Sequence, residues 1–108
     1  MVIVVTTSYF PAGKSAEAGK VYLEVDKKFP RDKTVSKLLL PVAIRITPEG
    51  MKSISMSEVK EGKIREFLER IYEQLLIFSK NIEGYRGDIE VFMSGVEALP
   101  LVGLKMPE

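Results

Sequence analysis

Residues 38–59, LLLPVAIRITPEGMKSISMSEV, decide how this chain of 108 residues reads. Two runs, 42–47 and 51–59, flank Pro48-Glu49-Gly50. A short Pro/Gly connection between runs that alternate with a period of two predicts a β-hairpin. In the first run Val42, Ile44 and Ile46 share one side, with Ala43, Arg45 and Thr47 on the other. In the second, Ile54 and Met56 share a side with Lys52 and Glu58, while Ser53, Ser55 and Ser57 line the opposite one. The expectation is a hairpin with one greasy face that needs cover and one semi-polar face.

On the N-terminal side of the hairpin, residues 2–7 are apolar on both faces, as in a central strand covered on both sides. Tyr9-Phe10-Pro11-Ala12-Gly13-Lys14 reads as a turn, after which Ser15 is placed to accept hydrogen bonds from the free amides of a helix. Ala18, Tyr22, Val25 and Phe29, with Val21 alongside, recur at helical spacing, and Phe29-Pro30 stops that helix. Residues 31–37 read as a polar connection and Leu38-Leu39-Leu40-Pro41 as the lead-in to the hairpin. Pro41 has no amide hydrogen to give a ladder, which puts this strand at a sheet edge.

On the C-terminal side, Ile64, Phe67, Leu68, Ile71, Leu75 and Phe78 fit the i, i+3, i+4, i+7 pattern of an amphipathic helix. Glu61/Arg65 and Glu66/Arg70 are favourably ordered i, i+4 pairs on it. Gly84 suits a left-handed residue after the helix. A last strand over 88–93 sets Ile89, Val91 and Met93 against Glu90 and Phe92. The rest, 95–108, runs through Val96, Leu99, Leu101, Val102 and Leu104. It is too apolar for a free tail and too rich in Pro and Gly for a regular element, so it is expected to dock.

Size and composition bound the answer. A chain of this length is a single domain, 1–108, with one core. Hydrophobic residues at 45% and charged residues at 29% exclude a disordered chain. A formal net charge of +1 gives no bulk field for nucleic acid or an anionic membrane, and neither is expected as a partner. The absence of Cys and His removes thiol nucleophiles, imidazole bases and most metal sites, so neither a cofactor nor a metal is expected. The apolar start breaks into Thr6-Thr7-Ser8 too soon for a signal peptide or a membrane span, which reads as cytoplasmic. Gln74 and Asn81 are the only side-chain amides among many Lys, Arg and Glu, a composition that suits a thermophilic source.

The order strand, helix, strand, strand, helix, strand, with right-handed crossovers, gives an α+β ferredoxin-like plan: a four-stranded antiparallel sheet with two helices on one face. Helices on one face leave half of the residues at 2–5, together with Phe92, uncovered. A patch of that size drives association, so a homodimer packed sheet against sheet is expected, or a higher oligomer built from it, sealed by the segment 95–108. This element order, together with Ile82-Glu83-Gly84-Tyr85-Arg86-Gly87 between the second helix and the last strand, resembles the dimeric α+β barrel superfamily. That group includes antibiotic-biosynthesis-type monooxygenases and stress-responsive barrel proteins. The resemblance implies the architecture, and chemistry does not travel with a fold. The His or Asn residues that some of those enzymes use near the cavity have no counterpart here.

Several residues invite a functional reading. Gly13-Lys14-Ser15 copies the end of a phosphate-binding loop, but Ser8 stands where its first Gly belongs, so it reads as a helix-capping turn. Backbone amides near Gly13, with Lys14, are a weaker anion candidate at the helix start. Arg45, a long guanidinium flanked by Ala43 and Thr47, either reaches an anionic ligand in a dimer cavity or pairs across strands with Glu58 or Glu90. Tyr9, Tyr22 and Tyr85 offer phenol donors, or rings at the rim of a core. The basic run Lys27-Lys28-Phe29-Pro30-Arg31-Asp32-Lys33 reads as a solvated helix end.

These readings converge on a small homodimeric barrel protein without assigned catalytic residues. A small anionic or amphipathic ligand is expected between the sheets, touched by Thr7, Tyr9, Arg45, Ser53, Ser55 and Glu90. The alternatives are a cofactor-independent enzyme of monooxygenase or isomerase type, with Arg45 steadying an oxyanion and Glu90 or a Tyr moving the proton, and a ligand-sensing regulatory module. An enzyme would need an apolar pocket of roughly 300 Å3 or more beside Arg45.

Overall fold

The structure is a computed structural model that describes residues 1–105 and 107. Strand β1 spans Val2–Phe10, helix α1 Ser15–Lys28, β2 Ser36–Thr47, β3 Gly50–Val59, helix α2 Ile64–Asn81 and β4 Arg86–Met93. A single turn, α3 (Gly95–Ala98), follows, and 3-10 turns occupy Ala12–Lys14 and Leu99–Val102. The strands form one sheet in the order β2-β3-β1-β4 with every neighbour antiparallel. This is the expected α+β ferredoxin-like fold, with β2 at an edge as Pro41 requires.

Both helices lie on one face of the sheet, and the core has two parts. In one, Ala18, Val21 and Val25 of α1 meet Ile82 and Tyr85, with Phe10, Phe29, Leu75 and Phe78 packed around them. In the other, Phe67 of α2 meets Val4, Val35 and Val59, with Val2, Ile64, Ile71 and Ile89 alongside. All six apolar positions expected on α2 are buried or half-buried. Val2 and Val4 therefore point to the helices, and by alternation Ile3 and Val5 point to the uncovered face.

Several local expectations are corrected. β1 runs on through Ser8 to Phe10, because the partners Ser53 and Met51 continue the ladder on β3. β2 starts at Ser36, not at 42, since Leu38 and Leu40 already pair with Ser57 and Met56. Two register shifts, between Leu38 and Leu40 and between Leu40 and Ala43, absorb Leu39 and the Pro41 segment. Ser15 caps nothing with its side chain: it is already helical behind a 3-10 turn, and its hydroxyl donates to the Ala12 carbonyl at 2.7 Å. On α2 the ion pairs are Lys63–Glu66 at 3.6 Å and Arg65–Glu69 at 3.2 Å, because Glu61 precedes the helix and Arg70 donates instead to the Pro30 carbonyl at 2.6 Å.

The hairpin has no single greasy face. Leu38 pairs with Ser57 and Ile44 with Ser53, so these apolar residues of β2 share a side with the serines of β3, while Leu40 and Ala43 share the other with Met56 and Ile54. The C-terminal segment also differs: it forms short helical turns, with Ser94 accepting from the Glu97 amide and Glu97 ion-paired to the N-terminal ammonium. Val96, Leu101, Val102 and Leu104 nevertheless stay exposed, so the segment buries little against its own chain. Positions 106 and 108 of the expected docking segment lie outside the described residues.

The turn of the hairpin depends on Gly50, whose φ of 135° is open to glycine and whose added Cβ would meet the Phe10 carbonyl oxygen at 2.7 Å. Gly50→Ala is expected to cost about 1–3 kcal/mol, read as a lower denaturant midpoint at unchanged slope. Gly13→Ala, whose methyl meets nothing within 4 Å, is expected to change stability by less than about 0.5 kcal/mol.

Candidate functional site

α1 packs more on α2, Ile82 and Tyr85 than on the strands. The space between α1 and the β2-β3 side of the sheet is a cleft of about 860 Å3. Its floor is an unusual one for the helix side of a sheet, where apolar residues normally point. Thr6 pairs with Ser55, Ser8 with Ser53 and Val4 with Ser57, which lays a double row of hydroxyls under the cleft. Its walls are apolar: Tyr22 from α1 and Phe29 just after it, Phe67, Ile71 and Phe78 from α2, and Val42 and Ile44 from β2.

One polar pair closes the floor at the deep end. The Ser8 and Tyr85 hydroxyls share a hydrogen bond of 2.5 Å, and the Tyr85 ring stacks on Phe78 with centroids 5.3 Å apart. Tyr85 is only 9% exposed. Burial pushes its phenol above the ordinary value of 10.0, and the bond to Ser8 offsets part of that rise. At neutral pH Tyr85 is a fixed, uncharged hydroxyl and not a base.

The mouth carries charge. Arg31, Lys33, Lys60 and Arg70 line it, against Asp26 and Asp32. Asp32 is already engaged: its carboxylate accepts from the Thr34 hydroxyl at 2.5 Å and from the Thr34 amide at 2.9 Å. Those two bonds, the hydroxyl first, hold it below the usual carboxylate range. Among the described residues, Arg31, Lys33 and Lys60 have no carboxylate partner, so the mouth is net positive.

The residues singled out from the sequence divide between two faces. Ser53 and Ser55 line the cleft, while Thr7, Tyr9, Arg45 and Glu90 lie on the helix-free face. The division follows from register, since Arg45 pairs with Lys52 and its neighbour Ile44 pairs with Ser53. Arg45 therefore does not lie opposite the serine row. It also pairs with neither Glu58 nor Glu90, which stand on other rows of the sheet. The cleft does not reach Arg45. Sequence reasoning missed Ser8, which it left outside the strand 2–7, and the basic mouth, of which it read Arg31 and Lys33 only as part of a helix end. The alternation Val4, Thr6, Ser8 was the signal for the first.

No group of His, Cys, Asp or Glu among the described residues could hold a metal ion. No helix among them is long and apolar enough to cross a membrane. Stability should fall at alkaline pH through Tyr85: its folded value is raised, so the unfolded chain releases the proton first. The contribution is whole below the unfolded value near 10.0 and is lost as pH rises through the folded value. Tyr85→Phe is expected to flatten this alkaline decline in a pH series of unfolding midpoints, and to remove the last-rising part of the phenolate absorbance titration.

No protein-family model matches the chain, and no curated protein sequence does. Solved structures do. A conserved protein from Methanosarcina mazei aligns at a TM-score of 0.57 and 9% identity over 87% of this chain and 93% of its own. A candidate antibiotic biosynthesis monooxygenase from Caulobacter crescentus aligns at 0.55 and 15%, over 86% and 89%. The de novo designed protein Foldit4 aligns at 0.53 and 14%, over 86% and 96%. A natural protein described as a monooxygenase and a designed one share these strands and helices, so the likeness carries architecture and no activity. What the chain shares with them is the α+β ferredoxin-like fold.

Proposed function

We propose that this chain is a homodimeric binding protein that holds an amphipathic anion in the cleft between α1 and the β2-β3 hairpin and does not turn it over. The observation that carries the reading is the cleft itself: about 860 Å3, apolar on its walls, hydroxyl-lined on its floor and cationic at its mouth. That volume falls in the range of ligand sites, and apolar walls with a few placed polar groups are their usual lining. An apolar body lies along Phe29, Phe67 and Ile44, the hydroxyls of Ser53 and Ser55 offer hydrogen bonds, and an acidic head meets Arg31 and Lys33. The ligand is thus put on the helix side of the sheet and not between two sheets.

The dimer rests on surface area. The chain exposes 7639 Å2, against about 6000 Å2 for a compact monomer of its mass. Its radius of gyration is 15.5 Å, against about 13 Å expected. The excess of about 1600 Å2 exceeds the roughly 800 Å2 that one partner gives to a standard interface. The half-exposed Ile3, Val5, Ile54 and Met56 on the helix-free face are what a second sheet would cover. The enzyme reading has one feature in its favour, the Ser8–Tyr85 pair, which could donate to an oxyanion. A phenol held neutral does not supply the base that such a reaction needs.

Dodecanoate serves as a probe of the cleft. At one hundred times its dissociation constant it is expected to stabilise the fold by about 2.7 kcal/mol, read as a raised thermal midpoint. Dodecanol, with the same tail and no charge, should bind at least tenfold more weakly. Ser55→Phe or Gly19→Phe fills the cleft from the floor or from α1, where an added Cβ at 19 meets nothing within 4 Å, and should abolish the shift. Arg45→Ala should leave it intact. A full shift in both Phe variants would remove the cleft as the site.

A further inference from the structure

The helix-free face carries an unneutralised row of cations at one end. Arg45 of β2 pairs with Lys52 of β3, Lys52 with Tyr9 of β1, and Tyr9 with Arg86 of β4, so one row crosses all the strands. Lys52 Nζ and Arg86 Cζ lie 5.6 Å and 5.1 Å from the Tyr9 ring centroid, which fixes both around it. Among the described residues none of the three cations has a carboxylate partner. Like charges directly across strands destabilise a sheet, so this row calls for an opposite charge from outside the chain. At the far end of the same face the matching row is Lys37, Glu58, Ile3 and Phe92, and Glu58 also has no ion pair among the described residues. Between the two rows lie Leu40, Met56, Val5, Ala43, Ile54 and Thr7, with Glu90 and Asp88 at the β4 edge.

We infer that two copies of this chain pack these faces with the two-fold axis crossing the strands, so that the cationic row of each subunit meets the Glu58 row of the other. This rests on the dimer proposed above and specifies its arrangement. An axis running along the strands would lay each cationic row over its own copy, six positive charges in one desolvated layer. An axis across the strands reverses one sheet end for end. Lys52 then faces Glu58 of the partner subunit, Arg86 faces the ring of Phe92 of the partner subunit, and Tyr9 covers Ile3 of the partner subunit. Because the contact is isologous, each pairing occurs twice. The like charges that also approach, Arg45 with Lys37 and Glu90 with Asp88, fall on the outer strands β2 and β4, where water screens them. The twist between packed sheets, about 30°, spreads the outer strands apart more than the inner ones.

The test is a charge swap read by sedimentation equilibrium at low salt. Lys52→Glu and Glu58→Lys are each expected to weaken the dimer at least tenfold, and the double variant to return it to within about threefold of the parent. The chain has no Cys, so Lys52→Cys and Glu58→Cys subunits can be mixed and oxidised without background. A covalent dimer forming in the mixture and not from either variant alone supports the arrangement. If the parent sediments as a single subunit, the dimer itself falls. If the parent is a dimer but the single swaps leave it unchanged, or the double variant is no better than the singles, the dimer stands and this arrangement is overturned.

Discussion

The direction in which β3 points its side chains governs the rest of the molecule. Along 51–59 the serines turn to the helices, and Ile54 and Met56 turn away from them. A sheet covered by helices on one side usually does the reverse, because burying a hydroxyl without a partner costs free energy and burying a methyl group gains it. Here the inversion is tolerated because the helices do not close on this half of the sheet. Val59, at the end of the same strand, shows the ordinary arrangement: it is fully buried against Phe67.

Two consequences follow from that inversion, one on each face. On the helix side, small polar residues give α1 nothing to pack on, so its apolar stripe of Ala18, Val21 and Val25 is spent on α2, Ile82 and Tyr85. The cleft is what is left over. On the other side, Ile3, Val5, Ile54 and Met56 gather into a half-exposed patch with no helix over it. Ligand and partner, in the reading proposed here, occupy opposite sides of a single layer of strands. A change in β3 would be felt by both.

The order of elements, the edge position of β2 and the apolar face of α2 were legible because each rests on a local rule: alternation, a missing amide hydrogen, a 3.6-residue repeat. The register of the hairpin was not. Gly50 already pairs with Thr47, so the connection is Pro48-Glu49 alone where the sequence reads three residues, and a slip of one residue reverses every side chain of one strand against the other. That single uncertainty separated Arg45 from Ser53 and Ser55 and moved the candidate site to the other face. Tyr85 was legible as a phenol donor but not as the partner of Ser8, seventy-seven positions away, since nothing local links them.

The two register shifts in β2 have a consequence of another kind. β2, twelve residues long, borders the sheet, and Ile44 and Ile46 on it are 61% and 76% exposed. A straight border strand of that length is a template on which further chains could hydrogen-bond without limit. Its kinks and the imino nitrogen of Pro41 interrupt the run of free amide and carbonyl groups, so no long register is on offer to an incoming strand. Open-ended growth of the sheet into a fibre, which needs β2 as well as the other edge β4, is thereby blocked.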